Sequence, residues 1–298
     1  MNKRIVMQLL HLATTVAIFT FGGAAPTAAQ NAEQLAMNQN PQAVQTGYAP
    51  VNGLRIYFEI HGIKNPAQPP LVLLHGGGDT INTSFGQILP ELSRTRQIIA
   101  FEQQGYGHTA DIIERPFSFE QSADDTAALL DYLHIEKADF FGFSNGGTIA
   151  LQVAIRHSKL VRKLILASTL LKRDGAYPWL WDAMANAKLE NMPQELQEEY
   201  LKVAPHPENL RLFHDKAARR VLEFKDIPTD AIRSVSAPAL IVVGDADVIR
   251  PEHAVETFRL FQHAQLAVLP DTDHMKVTTR VDWLVPMITD FLQAPTAK

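Results

Sequence analysis

Cysteine is absent from the chain. Disulfides, thiolate nucleophiles and cysteine-ligated metals are therefore excluded, and the fold must be held by its core. Basic residues are in the minority, with 27 Lys and Arg against 32 Asp and Glu, for a net charge of −5. That balance argues against nucleic-acid or anionic-membrane partners, which need a basic surface. No G-x-x-x-x-G-K-[ST] is present, and residues 142–147 do not fit G-x-G-x-x-G, so a phosphate cradle is not indicated. No H-E-x-x-H or comparable ligand set occurs either, so neither a metal nor another cofactor is implied.

Long apolar runs are also scarce. The one at the N-terminus, residues 5–21, follows Lys3 and Arg4 and precedes small residues through Ala28 and Ala29. It falls short of the ~20 residues that span a bilayer, and His11 interrupts it. The order of charged, apolar and small residues predicts a secretory signal over 1–29, cleaved after Ala29, rather than a retained anchor. The expected protein is exported, periplasmic or secreted, with no stable membrane insertion after cleavage. Its net charge becomes −7 once the two basic residues are removed. Residues 30–50, rich in Gln, Asn and Ala, read as a linker or N-terminal arm.

From residue 54 strand and helix patterns alternate. Apolar strands are expected at 54–60, 71–74, 97–101, 138–141, 164–167, 239–243 and 265–269. Helical patterns follow Ser118, whose spacing to Gln121 resembles a capping box, and cover 147–157 and 281–292. Such alternation predicts an α/β fold with a mainly parallel sheet and helices on both faces. Between Thr169 and Ser236 no strand is evident. Helices are expected there at 178–190, 193–203 and 207–224, each with proline at or near its start. The domain reading is thus a core of 51–169 and 236–298, with an inserted helical cap at 170–235 over the strand ends. Tyr177, Trp179, Trp181 and Met184 cluster in the cap. They either fasten it to the core or, as expected for Trp179, Trp181 and Met184 as a group, shape an apolar substrate pocket.

Gly142-Phe143-Ser144-Asn145-Gly146 joins an apolar strand to a helix. A serine flanked by glycines at so sharp a turn is a nucleophile elbow, with its hydroxyl exposed at the end of the sheet. The hydroxyl needs a neutral imidazole to take its proton, and acyl transfer needs donors aimed at the oxygen that gains charge. His75-Gly76-Gly77-Gly78, directly after the strand at 71–74, is a loop whose main chain can approach such an oxygen.

On these motifs the chain resembles the α/β-hydrolase family from about residue 50 to its end, in the serine esterase and lactonase branch with a helical cap. The resemblance implies Ser144 as nucleophile and His274, in the loop after the last strand, as general base. Asp273 stands before it where the family often has glycine. The implied acid lies after the strand at 239–243, where Asp247 matches the family position and Asp245 is the competing choice. Gly77 and Asn145 would supply the oxyanion-hole N–H groups. Residues 102–109 resemble the family's glycine loop, with Glu102 and Gln104 departing from its pattern, and are expected to support the site. The implied activity is hydrolysis of a small-molecule carboxylic ester or lactone through an acyl-enzyme, macrocyclic and acyl-homoserine lactones included. Carbon–carbon bond or amide hydrolysis and non-catalytic binding of a small ligand stay open as alternatives.

Overall fold

The computed structural model describes residues 44–295, so the expected signal 1–29 and most of the expected linker lie outside the described residues. In chain order the strands are β1 (Gln45–Val51), β2 (Leu54–His61), β3 (Leu71–Leu74), β4 (Ile98–Phe101), β5 (Ala138–Phe143), β6 (Val161–Ala167), β7 (Ala239–Gly244) and β8 (Ala264–Leu269). The helices are α1 (Ile81–Phe85), α2 (Leu89–Ser93), α3 (Phe119–Tyr132), α4 (Asn145–Arg156), α5 (Pro178–Ala185), α6 (Gln194–Val203), α7 (Leu210–Leu222), α8 (Thr229–Arg233), α9 (Pro251–Leu260) and α10 (Val281–Gln293). The strands form one sheet in the order β1-β2-β4-β3-β5-β6-β7-β8, antiparallel at β1–β2 and β2–β4 and parallel from there on.

The four-residue β3 explains the layering. Val72 and Leu74 join a core on one face with α3 and α4, while Leu71 and Leu73 join a second core on the other face with α1, α2 and α10. Both faces are covered, so the period-two alternation of side chains leaves an unbroken apolar run. At the head of α3 the Ser118 side chain accepts from the Gln121 N–H at 3.2 Å, the forward half of the expected capping box.

The linker expectation for 30–50 needs correcting at its end. Residues 45–50 are in β1, paired residue for residue with β2 across a two-residue turn at Asn52 and Gly53. Both turn residues have positive φ, 48° and 82°, which is the Asn-Gly hairpin signal. Pro50 is tolerated because β1 is an edge strand.

Helices α5 to α8 fall between β6 and β7, where the cap was expected. A small third core fastens α6 and α7 down: Tyr200, Leu210 and Phe213 pack with Tyr106 and Phe117.

Candidate active site

Five parallel strands, β3, β5, β6, β7 and β8, deliver their carboxyl ends to one place. Ser144 follows β5 with φ 53° and ψ −119°, a conformation that costs a non-glycine residue of order 1–3 kcal/mol and turns its hydroxyl outward. The turn has no room for side chains. A Cβ at Gly142 would strike the Gly146 and Gly147 main chain, and one at Gly146 would strike the carbonyls of Leu74 and His75. The Ser144 N–H is tied to the Ala167 carbonyl at 2.8 Å.

His274, in the 3-10 turn His274–Thr279 after β8, brings Nε2 to 3.0 Å from the Ser144 Oγ. Its Nδ1 lies 2.7 Å from the Asp247 Oδ1. A carboxylate can only accept, so Nδ1 carries the proton and Nε2 is left to accept from the serine hydroxyl. Asp247 is buried, which opposes its charge. Hydrogen bonding and charge from His274, with further bonds from the Ile249 N–H and the Ser168 hydroxyl, outweigh that and hold it below the ordinary carboxylate range. Of the two candidate acids, Asp247 faces the imidazole. Asp245 instead accepts from the Thr272 N–H at 3.1 Å, tying the loop after β7 to the loop after β8.

Ser168 was not singled out in the sequence. It sits at the tip of β6 with φ 52° and donates to the Asp247 Oδ2 at 2.5 Å. The local cue was a polar residue directly after the apolar run 164–167, which does not say what that residue will face. Asp79 was also missed: it is buried beneath the glycine loop and accepts from the Thr83 hydroxyl at 2.9 Å.

Gly77 and Asn145 line one cavity with Ser144 and His274. They are immediate neighbours, since a Cβ at Gly77 would meet the Asn145 side-chain amide. Asn145 opens α4, so its N–H belongs to the unsatisfied positive end of that helix. The loop is held from beneath. The Gly76 N–H donates to the Ser84 Oγ at 3.0 Å. The buried His75 accepts the Gln103 N–H on Nε2 at 3.1 Å, so its Nδ1–H donates to the Gly76 carbonyl at 2.9 Å. Burial lowers the His75 pKa to about 4, which keeps this tautomer neutral. Within the 102–109 loop, Glu102 is engaged by His108 through both Nδ1 and N–H.

The cavity measures about 540 Å³ and is walled mainly by apolar side chains, including Leu170, Leu180, Met184, Leu196, Phe213, Val221 and Val248. Asn186, Lys188 and Asn191 are lining residues too, and all three are exposed, forming a polar rim. The expected trio of cap side chains separates here. Met184 lines the cavity, with Leu180 and Ala183 on the same helical face. Trp179 and Trp181 do not. Trp179 is 54% exposed, and Trp181 turns away to bond the Arg173 carbonyl while its ring lies 3.9 Å from the Arg173 guanidinium carbon. At 100° per residue, Leu180, Ala183 and Met184 centre on one face of the helix, and Trp179 and Trp181 fall about 100° to either side of it. Among the described residues no group of three or more His, Asp or Glu is placed to hold a metal ion. None of the described helices is long and apolar enough to cross a membrane.

Comparison with known proteins agrees with this architecture. The family model for the alpha/beta hydrolase fold matches residues 69–212. The chain is 32% identical over 264 residues to the dihydrolipoyllysine-residue acetyltransferase component of the acetoin cleaving system of Pseudomonas putida, covering 83% of this chain and 68% of that one. It is 36% identical over 99 residues to the 2-hydroxymuconate semialdehyde hydrolase of Pseudomonas sp. strain CF600, a match to 33% of this chain and 35% of that protein's length. It is 27% identical over 246 residues to the pimeloyl-[acyl-carrier protein] methyl ester esterase of Neisseria meningitidis strain H44/76, covering 74% of this chain and 92% of the esterase. Among solved structures, the enol-lactonase of Burkholderia xenovorans LB400 superposes with a TM-score of 0.66 at 23% identity, over 83% of this chain and 100% of that one, a likeness of fold. Strand order, family match and a relative similar over most of both lengths agree, and the chain belongs to the α/β-hydrolase fold family.

Proposed function

We propose that this protein is a serine hydrolase that cleaves a neutral, largely apolar carboxylic ester or lactone through an acyl-enzyme. The observation that carries the reading is the unbroken line Ser144–His274–Asp247 opening into an apolar cavity. In the mechanism, Ser144 Oγ attacks the carbonyl carbon as His274 Nε2 takes its proton. Asp247 keeps the imidazole in the required tautomer and stabilises the imidazolium that forms. The N–H groups of Gly77 and Asn145 receive the oxyanion. Collapse passes the proton from His274 to the departing alkoxide. Water then attacks the acyl-enzyme, gives its proton to His274, and the acid leaves with Ser144 restored.

A neutral substrate follows from the walls. Apart from histidines, Lys188 is the one cationic side chain among the described residues that line the cavity, and it is exposed at the rim. A carboxylate carried deep into this space would be buried without a partner. The volume suits a ligand of ordinary small-molecule size. The reading also includes export, which rests on the N-terminal segment alone and is tested by finding Gln30 at the mature N-terminus.

The central test uses p-nitrophenyl esters and a serine-directed phosphonate. Ser144→Ala and His274→Ala should each lower kcat by roughly three orders of magnitude or more with the far-ultraviolet circular dichroism unchanged. Asp247→Asn should also cost heavily, and more than Asp245→Asn. The phosphonate should add one equivalent to the peptide containing Ser144. Near-normal turnover by either alanine variant, or hydrolysis with no label on Ser144, would refute the mechanism.

A further inference from the structure

Arg220 on α7 is a buried cation with no anionic partner among the described residues. It is 5% exposed, forms no ion pair with the described carboxylates, and leaves its Nε without a hydrogen bond. Its guanidinium lies against three rings, Tyr106, Phe117 and Phe119, at 5.5, 5.7 and 5.1 Å from their centroids. Such a group is costly to bury, and cap attachment alone could be achieved by the apolar contacts already present in the third core.

What the guanidinium reaches is informative. Nη2 donates to the Tyr106 hydroxyl at 2.8 Å, and Nη1 to the Gln103 Oε1 at 3.4 Å. Gln103 is the residue whose N–H fixes the His75 Nε2, and its side-chain amide also donates to the His75 carbonyl at 3.3 Å. The Tyr106 ring lies 4.9 Å from that of His75. His75, at the head of His75-Gly76-Gly77-Gly78, is therefore held by two residues that Arg220 holds in turn. Gly77 follows directly in the same loop, after Gly76, whose carbonyl accepts from the His75 Nδ1–H.

We propose that Arg220 is a positioning residue, which acts through Gln103 and Tyr106 to set the oxyanion loop from the cap. This inference rests on the assignment of Gly77 N–H to the oxyanion hole. The same helix presents Phe213, Ala217 and Val221 to the cavity. The wall that touches substrate and the strut that aligns the loop are thus one rigid element.

The test compares Arg220→Lys, which keeps the charge but loses the planar fork, with Gln103→Leu, which cuts the link from the loop side. Rates are taken per active site titrated with the phosphonate, so misfolded protein does not count. Affinity is measured for a trifluoromethyl ketone, whose serine adduct places an oxyanion in the hole, and for the matching methyl ketone, which forms such an adduct far less. Both variants should lose about 10- to 100-fold in kcat with KM changed less than about threefold, and the trifluoromethyl-over-methyl preference should fall by a similar factor. The double variant should lose little more than the worse single one. Unchanged kcat per titrated site together with an unchanged inhibitor preference in Gln103→Leu, or full retention of both by Arg220→Lys, would overturn the proposal. Should the wild type fail to react with the phosphonate, the serine mechanism itself would fall first, so the two failures are distinguishable.

Discussion

His75 and Asp79 lie four residues apart around the glycine loop, and burial acts on their charges in opposite directions along the pH axis. It lowers the His75 pKa from 6.5 to about 4 and raises that of Asp79 from 3.8 to about 6. For His75, the folded protein binds fewer protons than the unfolded chain between those limits. Its contribution to stability is complete above pH 6.5 and is lost as pH falls toward 4. For Asp79 the folded protein binds more protons, so its contribution is present below pH 3.8 and is lost as pH rises through 6. Each is worth about 3 kcal/mol by linkage, and in the shared window they offset one another. Asp79→Asn removes one of the two. Relative to wild type, the variant should gain about 3 kcal/mol of stability between pH 4 and 6.5, read from urea unfolding at several pH values. A stability difference that does not vary with pH would mean that Asp79 titrates as an exposed carboxylate. At this scale the sequence was only partly legible. Ser144 was readable because an elbow needs its glycines in fixed places. His274 and Asp247 needed the family pattern, because their meeting depends on strands β7 and β8 lying side by side. Ser168 and Asp79 were not found, since nothing local distinguishes a serine or aspartate that will face a buried acid or loop from one that faces water.

At the scale of elements, the buried strands declared themselves through length and continuous apolarity, and observed bounds differ from the expected ones by a few residues at most. Helix α9 was overlooked although Pro251 stands at its first turn and Ala254, Thr257 and Phe258 follow at helical spacing. Cap helix α5 shows a subtler limit. Its sequence Pro-Trp-Leu-Trp-Asp-Ala-Met-Ala is apolar nearly all round, and no residue in it is buried. Apolar content could not reveal which face meets the cavity, because that phase is set by how the helix lies on the core. Leu180, Ala183 and Met184 are the inward face. Met184→Trp should therefore fill part of the cavity and cut kcat/KM for the longest p-nitrophenyl esters by about tenfold or more, while short esters are spared. Trp179→Ala should leave the chain-length profile unchanged. A profile altered by Trp179→Ala and not by Met184→Trp would mean that α5 presents its other face when substrate is bound.

Across the whole molecule, stability and the proposed chemistry occupy opposite ends of the same strands. At the amino ends of β5 and β6, the fully buried Asp139 accepts from Arg96 at 3.0 Å and from Arg162 at 2.7 and 2.5 Å. Beside it the buried Lys163 ammonium donates to the carbonyls of Phe291 and Leu292, at 2.7 and 3.4 Å, where the dipole of α10 favours positive charge. The network clamps the last helix to the middle of the sheet. Asp139 and Ser144 are five residues apart along an extended strand, a separation of about 16 Å. None of these residues lines the cavity. Asp139→Asn leaves two guanidinium groups without their carboxylate, one of them buried, which should cost about 3–5 kcal/mol of folding stability. The rate per titrated active site at 25 °C should nonetheless stay within about twofold of wild type, because the loops after β5, β7 and β8 are held by separate bonds. Thermal unfolding and phosphonate titration on one preparation would separate the two quantities. A large fall in rate per titrated site would mean that strain crosses the sheet from its charged end to Ser144.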